Sequence, residues 1–131
     1  MAKAHTSFPA LRLLIAGDGE EMANLKQLAA DLGVAKAVCF AGWISDTDSF
    51  YNALDINTLT SISETFPYAL TEGARAGLPT ISSKVGGVSY LIDHGSNGFL
   101  FPPGEDQALA DHLLTLARDP DLRKTMGQRR I

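Results

Sequence analysis

Five short apolar runs, at residues 11–16, 37–41, 55–60, 79–82 and 97–101, alternate with segments whose apolar residues recur at helical spacing. A short run closed by a turn and followed by a helical pattern reads as one β-α unit. Five in succession predict an α/β domain with a Rossmann-like three-layer architecture, a parallel sheet carrying helices on both faces. The first run ends at Gly17-Asp18-Gly19, and Met22, Leu25, Leu28, Ala29 and Leu32 then fall at spacings of three and four in a helix over 20–32. Gly33 is placed to stop that helix, and Gly77 to stop the one that begins near Pro67 and runs to about Ala76. Asp46 or Thr47 caps a short helix reaching Leu54, and Gly86-Gly87 introduces another ending near His94-Gly95. Glu105 and Asp106 at the start of the next helix, and Arg118 at its end, match the helix dipole. Asp119-Pro120 caps and opens the last helix. Residues 1–10 carry no pattern and are expected to form a disordered or extraneous tail before a single domain over 11–131.

The composition suits that reading. The chain has 131 residues, 45% hydrophobic and 20% charged, enough for a real core and too apolar for disorder. Its formal net charge of −4, with no basic stripe, argues against a nucleic-acid surface. The same balance makes positive partners for a phosphate scarce. Cys39 is the one cysteine, so no internal disulfide forms, and its apolar run predicts a buried strand cysteine in a reducing compartment. No segment approaches the roughly 20 apolar residues of a membrane helix, and the N-terminus lacks a secretory apolar core. A cytoplasmic protein is expected.

In an open parallel sheet, ligands bind beyond the carboxyl ends of the strands. Three such ends carry loop chemistry: Gly17-Asp18-Gly19, Gly42-Trp43, and the segment from Ser61 to Pro67 that leads into a helix N-terminus. Free backbone N–H groups and the helix dipole suit an anion there. Glu64 precedes that helix and Glu72 lies within it, eight residues on. Their separation is at most about 12 Å along a helix, off a common line, so they are no catalytic dyad. They suit two acceptors gripping hydroxyls at opposite ends of an elongated ligand with a phosphate between, which describes a nucleotide sugar. Two glutamates alone carry little, since most such acids are simply solvated.

Other sites are excluded or left open. Met22 stands where a dinucleotide fingerprint would need its third glycine, and neither a P-loop nor a nucleophile elbow occurs. His5, His94 and His112 lack metal-ligand spacing, and His112 reads as a packing residue. Trp43 either stacks on a base or caps the core.

The stretch SISETFPYALTEGARAGLPTISSKVGG resembles the E-x7-E donor-site signature of glycosyltransferase family 4, the group 1 glycosyltransferases. LLIAGDGEE, VCFAGW, DINTLTS, NGFLFPPGED and DPDLRKTMG match in order, so the resemblance covers about residues 11–130. It implies the C-terminal, donor-binding domain of the two-domain GT-B fold. In that family the configuration at the anomeric carbon is retained, no metal or other cofactor is needed, and a hexosyl group passes from a UDP- or GDP-sugar to a glycan or lipid-linked acceptor, as in polysaccharide biosynthesis. By motif position, Glu64 faces the donor sugar and is the one residue placed in a catalytic role, that of positioning. Glu72 binds the ribose hydroxyls, and Thr65, Phe66 and Pro67 line the sugar and phosphate. Gly42 and Trp43 meet the base, and Gly17 lies beside the nucleotide.

Three departures stand out. Thr65 replaces the family's usual glycine, which implies altered sugar placement, and Ser89-Tyr90 replace a usual Pro-Glu pair. The family's diphosphate-binding Arg and Lys lie upstream of the position of Leu11, so the chain is expected to be truncated on its N-terminal side. It would then lack those residues, a central strand and the acceptor domain, be inactive alone, and touch a membrane only peripherally through its parent. With the five runs numbered in order, closing the strand gap gives sheet order 2-1-3-4-5, while an open gap invites a swapped dimer. A sugar-nucleotide epimerase half-domain and a flavodoxin-like or receiver-like binding module are the alternatives. The unbroken E-x7-E spacing opposes the first, and the lack of an acidic strand-end cluster opposes a receiver.

Overall fold

Residues 1–17, 19–61 and 68–129 are described by the structure, a computed structural model. The chain divides into two compact units, Met1–Thr47 and Asp48–Ile131.

The first unit runs α1 (Ala2–Ser7), β1 (Leu13–Ala16), α2 (Met22–Asp31), a 3-10 turn (Ala35–Ala37) and β2 (Val38–Gly42). The tail expected to be without structure thus contains a helix, whose single buried side chain, Ala4, gives no periodic signal in the sequence. β1 and β2 pair in parallel, with Leu13 opposite Val38 and Ile15 opposite Phe40, joined by the crossover helix that a parallel pair requires. α2 ends as expected: the Val34 N–H bonds the Ala29 carbonyl and the Gly33 N–H that of Ala30, the two bonds of a Schellman stop.

One expectation about burial fails in this unit. Cys39 is exposed rather than buried. Side chains alternate across a strand, and Val38 and Phe40 are half-buried while Cys39 and Ala41 point to the open face of β2. On α2, Ala29 is buried, but Leu25, Leu28 and Leu32 are 41%, 51% and 54% exposed. The apolar spacing identified the helix without burying its whole stripe.

The second unit carries α3 (Thr47–Asn52, its first residue at the boundary), β3 (Asn57–Leu59), α4 (Tyr68–Arg75), β4 (Thr80–Ser83), α5 (Val88–Leu91), β5 (Gly98–Phe101), α6 (Asp106–Arg118) and α7 (Pro120–Gln128). Its strands are parallel in the order β3-β4-β5, with Asn57 opposite Thr80 and Ser82 opposite Leu100. All four residues of the central β4 are buried, as a parallel strand covered on both faces requires. Leu70, Val88 and Ile92 form a core cluster against Leu59, Val85, Leu91 and Leu100. At the C-terminal pair, the Asp119 carboxylate accepts from the Leu122 N–H at 2.9 Å, the cap expected from Asp119-Pro120. Arg123 donates to the carbonyls of Leu116 and Ala117, closing the end of α6.

The expected α/β fold is therefore found, with strands parallel within each unit, and of the order 2-1-3-4-5 the neighbours 2-1 and 3-4-5 are present. Among the described residues the strands form two ladders, β1-β2 and β3-β4-β5, and none joins 11–16 to 55–60. Within the second unit, the Asn57 N–H bonds the Pro79 carbonyl and its amide Nδ2 bonds Ala69 O of α4.

Candidate functional site

The residues named from the sequence fall on both units, and each unit presents its own part. In the first, Gly17 and Gly42 meet at the carboxyl end of the β1-β2 ladder, where the Gly17 N–H donates to the Gly42 carbonyl at 2.7 Å. The register slips between Ile15 and Ala16, which brings Ala16 opposite Gly42. Both glycines are left-handed, with φ of 106° and 69°, and no heavy atom lies within 4 Å of where a Cβ would project. Any other residue would be strained there, and the backbone stays open to close approach. Trp43 is 83% exposed, which rules out the core-capping role and leaves its ring free to stack. Asp18 lies outside the described residues.

In the second unit the central element is α4. Glu64, Thr65, Phe66 and Pro67 lie outside the described residues, so the site is built from what flanks them. Ser83 Oγ at the end of β4 donates to the Ser61 carbonyl at 2.6 Å, pinning the entry to that segment. Asn57, 4% exposed, donates its amide to the Ala69 carbonyl at 2.9 Å, pinning the first turn of α4 to β3. Gly73 packs directly on the Asn57 side chain. At the far end, the Leu78 N–H bonds the Gly73 carbonyl and the Gly77 N–H that of Ala74, a second Schellman stop.

Glu72 sits half-buried on this fixed helix. Burial first, then the nearby Glu72 carboxylate, pushes the phenol of Tyr51 on α3 up to about 12, so it stays protonated at any physiological pH. Tyr51, Asn57 and Gly73 were not singled out by sequence reasoning. The Asn57 pair joins residues 12 apart, and no periodicity within a short strand or helix reveals such a partner.

A second cluster lies on β5 and α6. His112 stacks on Phe99 with centroids 4.5 Å apart and planes 6° from parallel, and His94 meets both rings edge-on at 5.5 Å. His94 Nδ1 accepts from the Leu100 N–H at 2.9 Å. The reading of His112 as a packing residue agrees with this stack. Its pKa is lowered, chiefly by burial and then by His94, against opposing effects of a backbone bond to Leu100 and of Asp111. The folded state therefore resists protonating His112 where the unfolded chain, near the ordinary value of about 6.5, accepts the proton. Stability is full above that pH and is lost as pH falls below it. Melting temperatures measured from pH 7.5 to 5.5 should decline in the wild type and decline less in His112→Phe. Equal slopes would remove His112 as the cause.

Among the described residues, no group of three or more His, Cys, Asp or Glu side chains is placed to hold a metal ion. Among the same residues, no helix is long and apolar enough to cross a membrane.

The family model for glycosyl transferases group 1 matches residues 1–130. The chain is 33% identical over 129 residues to the lipopolysaccharide core biosynthesis glycosyltransferase LpsE of Rhizobium meliloti, covering 98% of the chain and 38% of that protein. It is also 33% identical to the N-acetyl-alpha-D-glucosaminyl L-malate synthase of Bacillus anthracis, over 90% of the chain and 31% of that enzyme. The chain thus spans about a third of the length of these relatives. Among solved structures, Anabaena Alr3699/HepE in complex with UDP-glucose aligns with a TM-score of 0.89 at 32% identity, over 96% of this chain and 36% of that one. The C-terminal domain of the group 1 glycosyl transferase LpcC from Francisella tularensis aligns at 0.86 and 27%, over 97% of this chain and 69% of that one. The chain belongs to the group 1 glycosyl transferases.

Proposed function

We propose that this chain is the nucleotide-sugar-binding half of a retaining glycosyltransferase, which passes a hexosyl group from a UDP- or GDP-sugar to a glycan or lipid-linked acceptor without a metal. The observation that carries the reading is Glu72, a half-buried carboxylate on a pinned helix, eight residues after Glu64. It is supported by Alr3699/HepE, crystallised with UDP-glucose and alignable over 96% of this chain. In this reading Glu72 accepts from the ribose hydroxyls, and Glu64 positions the sugar with Thr65, Phe66 and Pro67. Gly17 and Gly42 offer open backbone beside the nucleotide, and Trp43 an exposed ring to the base. An acceptor-binding domain completes the enzyme, and the reaction takes place on the cytoplasmic side.

Ligand-observed NMR at millimolar UDP-, GDP- and ADP-sugars, which registers weak binding, tests this directly. One nucleotide class is expected to bind, the free nucleoside diphosphate competing with its sugar conjugate, and EDTA leaving both unchanged. No binding of any donor, or binding only with added divalent cation, would overturn the reading.

A further inference from the structure

We infer that Asn57 is a positioning residue of the nucleotide site: its amide, laid over Gly73 and bonded to the Ala69 carbonyl, sets the seat of α4 on β3 and with it the place from which Glu72 reaches ribose. The inference rests on the proposed role of Glu72 and deepens it.

α4 has 8 residues, too few to hold a helix in water without tertiary support, so its seat is set by what it packs on. Leu70 is fully buried in the cluster with Val88 and Ile92, but apolar burial has no preferred direction. The Asn57 contact is directional. Its Nδ2 donates to Ala69 O at 2.9 Å, and its side chain fills the space over Gly73, where a Cβ would come within 2.9 Å of Cγ. The bond at Ala69 and the steric stop at Gly73 lie one turn apart on the same helix face, and Glu72 stands between them in sequence. A slide or roll of α4 must break the bond or drive the helix backbone into the amide. Thr80, opposite Asn57 in the ladder, is 1% exposed, and its Oγ1 has no hydrogen-bond partner among the described residues. The amide is therefore not spent across the sheet; it goes to the helix. An amide buried in a strand carries a desolvation cost that an apolar residue would avoid. What it supplies is a fixed distance and direction between β3 and α4, and a carboxylate that grips two neighbouring ribose hydroxyls needs its support held to within about 0.5 Å.

The test compares Asn57→Ala with Glu72→Ala on the full chain. Asn57→Ala/Gly73→Ala, in which a methyl group enters the space the amide leaves, gives the same reading should Asn57→Ala fold poorly. Asp119→Ala, which removes the α7 cap, is the control for a general loss of stability. UDP and GDP with their 2′-deoxy and 3′-deoxy analogues are the probes, and ligand-observed NMR reads the affinity of each diphosphate relative to its analogues. Because both ligands of a pair are measured on one sample, their ratio does not depend on the fraction of folded protein. The wild type should prefer one diphosphate to at least one of its deoxy analogues, and Glu72→Ala should erase that preference. Both Asn57 variants should reduce it about threefold to tenfold, a part of what a whole bond to a charged group carries, while Asp119→Ala should leave it unmoved. A merely structural Asn57 would weaken the diphosphate and its analogues alike. An intact ratio in the Asn57 variants, with Glu72→Ala erasing it, would overturn the positioning role and leave Glu72 as the ribose ligand. An equal fall in Asp119→Ala would overturn the positioning role as well. A ratio of one in the wild type, or no binding of either diphosphate, would overturn both.

Discussion

Gly73→Ala is expected to destabilise the second unit by about 2–4 kcal/mol, lowering the melting temperature by roughly 10 °C. A Cβ at position 73 would lie 2.9 Å from Asn57 Cγ and closer still to the amide nitrogen, inside any real contact distance. Asn57 cannot yield cheaply, because it is 4% exposed and its amide is the bond that ties β3 to the first turn of α4. Turning it away leaves a buried amide and the Ala69 carbonyl short of a partner, at about 1–3 kcal/mol. The overlap itself adds a similar amount, and the better helix propensity of alanine returns only about 1 kcal/mol. Removing the obstruction should reverse the sign. In an Asn57→Ala background, Gly73→Ala should be neutral or slightly stabilising. Thermal melts of the four proteins in this cycle decide it, and a Gly73→Ala variant as stable as wild type would show that the contact relaxes freely.

The contrast between Gly73 and Gly77 shows where sequence is a good guide and where it is not. Gly77 was legible as a helix stop, as were Gly33 and the Asp119-Pro120 cap, because each acts on backbone groups within a few residues. The β-α alternation was legible for the same reason, since burial of one helix face or one strand leaves a local period. Gly73 acts through a residue 16 positions earlier, and Tyr51 through one 21 positions later, so neither leaves a local trace. Of the sheet order, the neighbours 2-1 and 3-4-5 were legible, and pairing between the first and third strands is not found among the described residues. Cys39 was misjudged because an apolar run does not say how much of each strand face is covered. Glu72 was located by its place on the helix and by its motif, while its half-buried setting came from the fold.

The two glutamates should separate by ligand, and the sign of the effect makes the test sharp. A nucleoside diphosphate is an anion, so a carboxylate nearby that makes no bond to it repels it. At a distance of about 10 Å in a water-like medium this repulsion is roughly 0.4 kcal/mol. Replacing a bystander glutamate by alanine should therefore tighten binding slightly, by a factor of about two. Replacing one that accepts from ligand hydroxyls should instead weaken binding by about tenfold to a hundredfold, since hydrogen bonds to a charged group contribute about 1.5–3 kcal/mol. With Glu72 on the ribose, Glu72→Ala is expected to weaken the free nucleoside diphosphate and its sugar conjugate by the same large factor. With Glu64 on the sugar, Glu64→Ala is expected to weaken the conjugate alone and to leave the free diphosphate unchanged or slightly tighter. Titration of both ligands against both variants distinguishes the outcomes. Equal losses for both ligands in both variants would sink the assignment, and tighter binding of the diphosphate by Glu72→Ala would remove Glu72 from the nucleotide site altogether.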